Sequence, residues 1–160
     1  MVTRATADEE TLPDINDFSI AVLQNNNVQL TWNRYADFTD GTEIAAGNYT
    51  LKATYGNIET QGFEAPYYEG AKEFSIKKNE STNISVICYL ANVKVTTEYT
   101  ELFKKYFTDY TVNIRPAGST DISFDKNETR AAYVKPGKIS IYLSGSKQQG
   151  NKVTFEAATI

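Results

Sequence analysis

A chain of 160 residues with a formal net charge of -4 and no histidine lacks two things. One is the clustered basic face that nucleic acid or an anionic membrane surface requires. The other is the side chain that serves most often as general base near neutral pH and as zinc ligand. A hydrophobic content of 41%, with Tyr 11 and Phe 8, excludes a disordered polar chain and favours β structure, because aromatic and β-branched residues suit a half-buried pleated surface.

Residues 1–13 are small, polar and acidic and read as a flexible lead-in that ends at Pro13. They carry no apolar segment of the kind that begins a secretory signal, so a signal and any anchor would lie upstream of residue 1. Nowhere does an apolar run approach the ~20 residues of a spanning helix. Phe18, Ile20 and Val22 then alternate with polar residues, Asn25-Asn26-Asn27 signals a turn, and Val28, Leu30 and Trp32 alternate again. This pattern predicts a β-hairpin, with Trp32 on its core side. Asp37–Gly47 is rich in turn residues, and a further strand runs from about Tyr49 to Tyr55. Gly56–Gly70, with Pro66 among glycines and acids, reads as a long loop. Glu73–Ile76 is a strand, Lys78–Ser81 a turn, and Ile84–Leu90, apolar on both faces, a central strand.

Beyond Ala91 the chain stays extended to about Tyr99. Glu101–Phe107 then breaks the alternation and places Leu102, Phe103, Tyr106 and Phe107 on one helical face, with Thr100 as N-cap. This short helix is expected to plug an open end of a second sandwich. Strands follow at Tyr110–Ile114, Ile122–Phe124, Ala131–Val134, Ile139–Leu143 and Val153–Phe155. One strand motif is stated twice. Aligning Gly47 with Gly137 puts Ile44 on Val134, Tyr49 on Ile139, Leu51 on Ile141 and Ala53 on Leu143. The expected fold is therefore all-β, with two tandem antiparallel β-sandwich units over residues 14–90 and 91–160 and one helix in the second. The second copy has no counterpart of Ile84–Leu90, so either the native chain is longer or another segment fills that place.

Several segments together resemble an uncharacterised domain-of-unknown-function family of surface lipoproteins from gut anaerobes. They are Leu12–Phe18, Ala46–Gly56, Gly62–Gly70, Cys88–Val95 and Lys105–Tyr110. More distantly the chain resembles fimbrillin-like proteins, and Thr3-Arg4-Ala5-Thr6 is similar to a segment near their mature N-termini. That resemblance implies two transthyretin-like (prealbumin-like) sandwiches, export to the cell surface and a lipid anchor in the outer membrane. It implies adhesive or pilus-like use and brings no catalytic residues. Cys88, mid-strand, is not the lipidated cysteine.

Candidate chemistry is sparse. Glu64 and Glu69 flank Tyr67-Tyr68, and two carboxyl groups across a sugar are what glycoside hydrolysis requires. The same residues would also make an aromatic glycan platform, or a loop folded down by its tyrosines and solvated by its acids. The acids of Asp37–Glu43 offer hard oxygen ligands without the calcium-loop spacing, and read as a polar turn. Cys88 falls in phase with Ile84, Val86 and Leu90 and reads as a small buried apolar residue rather than a nucleophile. No catalytic residue, metal site or cofactor is assigned. The expected role is a non-catalytic surface module whose partner is a protein or glycan, with neither nucleic acid nor direct membrane insertion. Self-assembly would proceed by strand exchange at an incomplete sheet. The alternative is a glycan-binding accessory domain of an outer-membrane carbohydrate system.

Overall fold

The computed structural model describes residues 12–147 and 152–159. The described strands are β1 (Ser19–Gln24), β2 (Asn27–Trp32), β3 (Gly47–Tyr55), β4 (Gly62–Phe63), β5 (Tyr68–Ile76), β6 (Tyr89–Leu90), β7 (Val93–Val95), β8 (Phe107–Pro116), β9 (Ile122–Asp125), β10 (Ala132–Val134), β11 (Ile139–Lys147) and β12 (Lys152–Thr159). A single α-helix, α1 (Glu101–Tyr106), stands among them, and short 3-10 turns occupy Ile15–Asp17 and Tyr35–Asp37. The fold is all-β and sandwich-like, and its described strand pairs are antiparallel. The chain forms two compact units. One runs to Tyr55 and resumes with Glu69–Tyr89; the other takes Gly56–Tyr68 and everything from Leu90 onward. The two units thus interleave along the chain, whereas the sequence suggests one boundary near Leu90.

The first unit is built on a five-stranded sheet in the order β2-β1-β3-β5-β6. The predicted hairpin pairs Ile20 with Trp32 and Gln24 with Asn27. Asn25 and Asn26 close it at φ 51° and 63°. A two-residue turn with both central residues left-handed matches the twist of the flanking strands, and asparagine tolerates that conformation better than most residues. Ile20 and Val22 of β1 and Tyr49 and Ala53 of β3 are buried, as the alternation predicts.

Two expectations for this unit are corrected. β5 begins at Tyr68, so part of the long loop is strand. Ile84–Leu90 is not a central strand: residues 81–88 belong to no ladder, and only Tyr89 and Leu90 pair. Ile84, Val86 and Cys88 are half-buried while Ile87 and Tyr89 are exposed. The segment therefore covers the unit with one face only, and its outward apolar residues mimic a two-sided strand. Gly70 permits this approach, since a Cβ there would lie 2.2 Å from the carbonyl oxygen of Ile87.

In the second unit, a three-stranded sheet (β4-β10-β7) and a four-stranded sheet (β12-β11-β8-β9) share one core. Ile114, Phe124, Ala132 and Val134 form its centre. Phe63, Val93 and Val95 pack on it from the smaller sheet, and Val112, Ile122, Ile139 and Ile141 from the larger. The two copies of the repeated motif, β3 and β11, both lie inside their sheets, flanked by β1 and β5 and by β12 and β8. Within the second unit, Gly62–Phe63 supplies a strand to β10 in the register Ala132↔Phe63 and Tyr133↔Gly62. A segment from before Glu69 thus contributes to the second sandwich.

Candidate functional site

The stretch Gly56–Tyr68 is tied to the second unit by side chains that reach across long sequence separations. Gln61 donates through Nε2 to Ser119 Oγ at 2.7 Å and accepts from the Lys135 backbone N–H at 3.0 Å. Lys135 Nζ pairs with Glu59. Asn92, 6% exposed, accepts from the Tyr67 N–H at 3.1 Å through Oδ1 and donates from Nδ2 to the Ala65 carbonyl at 2.9 Å. The Ala91 N–H donates to the Tyr67 carbonyl at 2.8 Å. One buried amide thus satisfies a donor and an acceptor of an irregular segment that has no ladder there.

Tyr67 and Tyr68 are 8% and 7% exposed. Their rings are folded into the protein, so an open aromatic platform does not form from this pair. Glu64 and Glu69 fall in different units. In the second, Glu64 sits at φ 55° and its carboxylate meets Arg130 at 3.5 Å. In the first, Glu69 lies 3.9 Å from Lys52. Both carboxylates therefore have a cation beside them.

Arg130 is the hub of a polar cluster in the second unit. Its Nε and Nη2 bind both oxygens of Glu128 at 3.0 and 2.8 Å, and its backbone N–H adds a bond of 2.9 Å. Its guanidinium lies 4.7 Å from the centre of the Phe63 ring. These hydrogen bonds hold the Glu128 carboxyl down at about 2 and raise the guanidinium further above its ordinary value. The fork is a structural clamp with both charges matched. A second fork joins Arg115 to Asp121 and lowers that carboxyl as well.

At α1, five aromatic rings gather. Tyr99 and Phe103 stack at 5.5 Å, Tyr99 and Tyr110 are 4.5 Å apart, Phe103 meets Phe107 at 4.6 Å, and Tyr106 meets Phe107 at 5.0 Å. Thr100 caps the helix by accepting from the Phe103 N–H, as predicted. The predicted apolar face is split, however: Phe103 and Phe107 turn inward while Leu102 is 79% exposed and Tyr106 54%. A six-residue helix is under two turns long, too short for one stripe to hold all four side chains against a sheet. Burial first, with the neighbouring Tyr110 and Asp125 charges, pushes the Tyr99 phenol up.

The remaining candidates are structural in their surroundings. Cys88 is half-buried, its thiol raised by burial, with Sγ 3.8 Å from the Ala53 carbonyl oxygen. Trp32 is half-buried edge-on to Phe38 at 5.1 Å. The acidic turn is closed by Thr42 donating to the Thr39 carbonyl at 2.8 Å. Among the described residues, no three acidic or thiol side chains converge as a metal site would require.

No helix of the described residues is long and apolar enough to cross a membrane. Neither a curated protein nor a solved structure matches the chain. A family model matches residues 1–160 from end to end, and the chain belongs to that family, described as Domain of unknown function (DUF4493).

Proposed function

We propose that this chain is a non-catalytic cell-surface module, an adhesin or fimbrillin-like structural and interaction protein. It would be exported and held at the outer membrane by a lipid anchor. The observation that supports the reading is a sheet edge: among the described residues, β12, eight residues long, ends the order β12-β11-β8-β9. An unpaired strand edge can recruit another strand from a partner or a second copy. The resemblance to surface lipoproteins points to the same setting. Polar clusters of the second unit, around Asn92, Gln61 and Arg130, are engaged in holding segments down rather than aimed at a ligand.

The test is location and contact in the cell that makes the protein. Palmitate labelling of the native gene product, with protease shaving of intact cells, is expected to give a labelled, shaveable protein whose deletion lowers adherence or assembly. An unlabelled cytosolic protein that resists shaving would overturn the reading.

A further inference from the structure

We propose that the exposed Lys77-Lys78 turn is a processing site for a trypsin-like protease, and that cleavage there releases residues 79–88 from the face of the first unit's sheet. The proposal needs no assumption about cellular location. From Lys77 to Cys88 the chain joins no ladder, and residues 77–83 are all exposed. Lys77 pairs with Glu80 at 3.8 Å, whereas Lys78 has no ion pair among the described residues. Asn79 turns the chain at φ 60°. A protease acts on backbone that can leave the fold and extend. Exposed polar loop tips are therefore cut first, and paired strands only after they open.

The other basic residues in unpaired stretches are pinned. Arg34 binds Asp17 at 2.9 Å, and the next N–H, that of Tyr35, donates to the Phe18 carbonyl at 2.7 Å. Between β9 and β10, the Asn127 N–H donates to the Asp125 carboxylate at 2.7 Å and the Arg130 N–H to the Glu128 carboxylate at 2.9 Å. These bonds tie down the backbone around Lys126 and Arg130. Between β10 and β11, the Lys135 N–H donates to Gln61, and the Lys138 carbonyl accepts from the Ala117 N–H at 3.0 Å. The remaining described lysines and Arg115 lie in strands or in α1.

The segment beyond the turn is held lightly. Its inward residues Ile84, Val86 and Cys88 are half-buried. Two long polar contacts join it to the sheet: Thr82 Oγ1 donates to the Ser75 carbonyl at 3.5 Å, and Cys88 Sγ lies 3.8 Å from the Ala53 carbonyl oxygen. Hydrolysis of the Lys78–Asn79 amide consumes one water and leaves a carboxylate on Lys78 and an ammonium on Asn79. The segment is then held covalently at one end only, where Tyr89 and Leu90 pair as β6. A free end has more conformational entropy to lose on docking than a closed loop, so the cut segment lifts and uncovers the Cys88 thiol.

The experiment is limited digestion of the purified whole chain with trypsin, sampled over time by intact mass spectrometry. The first cut within residues 12–147 is expected after Lys77 or Lys78. The double variant Lys77→Gln/Lys78→Gln should survive at least about tenfold longer. Both lysines are exposed, and circular dichroism checks that the variant keeps the fold. Cys88 is the single cysteine, so a thiol reagent such as DTNB reports release directly. Its reaction should be at least about tenfold faster in the cut chain than in the intact one. A first cut elsewhere in residues 12–147, a double variant lost as fast as the parent, or a Cys88 no more reactive after the cut would each overturn the proposal.

Discussion

At the scale of single residues, two polar clusters of the second unit differ in what they respond to. Asn92 works by burial. Replacing it with alanine would strip the Tyr67 N–H and the Ala65 carbonyl of their shared partner, and buried orphaned groups cost about 1–3 kcal/mol each. Asn92→Ala is expected to lower the unfolding free energy by about 2–4 kcal/mol in urea titrations. Asn92→Asp should also be destabilised, since it keeps the acceptor but sets a carboxylate oxygen against the Ala65 carbonyl. The Glu128–Arg130 fork works by charge. The Glu128 carboxyl sits at about 2 in the folded chain, below its value of roughly 4.3 in an unfolded one. A depressed carboxyl contributes stability that is complete above the unfolded value and disappears as pH falls toward the folded one. The melting temperature should therefore drop between about pH 5 and pH 2, and Glu128→Gln should show a shallower drop over that window. An identical acid slope in the variant would assign the loss to other groups, of which Asp121, held down by Arg115, is the first to examine.

At the scale of elements, short structures depend on their ends. α1 has six residues, too few to persist on intrinsic propensity. Its Thr100 cap and the packing of Phe103 against Tyr99 and Tyr110 hold it. Thr100→Ala is expected to cost about 1 kcal/mol in the same titrations, whereas Leu102→Ala, on the exposed side, should cost next to nothing. The helix start was legible because an N-cap acts within one turn. The hairpin was legible for a similar reason: alternation and an asparagine pair are local signals. The repeated motif was legible as two internal strands, but its glycines have different reasons. Gly137 stands at φ 151°, where a side chain is strained, while a Cβ on Gly47 would press on Gln24 Nε2 at 2.9 Å. What sequence could not show is decided at long range. Ile84–Leu90 looked like a central strand because apolar residues occupy both faces, and only the position of β5 and β3 decides that one face stays open. The role of Gln61, bonded to Lys135 across 74 positions, leaves no local trace. The pair that did stand out, Tyr67-Tyr68, was conspicuous for aromatic content that the fold uses as burial.

At the scale of the whole molecule, the decisive fact is that chain order and compact units do not coincide. The second unit takes its core residue Phe63 and its strand β4 from a stretch that precedes most of β5. Phe63 meets Phe124 edge-on at 5.1 Å, and Phe124 is fully buried. Without the stretch, one side of Phe124 loses its aromatic neighbour and β10 loses its pairing to β4. Removal of a phenylalanine from a core costs roughly 3–5 kcal/mol, a large share of the 5–15 kcal/mol that holds a typical domain. A fragment of residues 90–160 alone is therefore expected to unfold without a sharp transition and to bind a hydrophobic dye such as ANS. Joining residues 56–68 to residues 90–160 through a Gly/Ser linker should restore a single cooperative transition and abolish the dye signal. If residues 90–160 alone unfold as sharply as the linked form, β4 is dispensable and the second sandwich is complete without it. The comparison separates a continuous second domain from one assembled across the chain. It also decides how variants in the 56–68 stretch should be read: as damage to the sandwich they complete, or as changes in a surface loop.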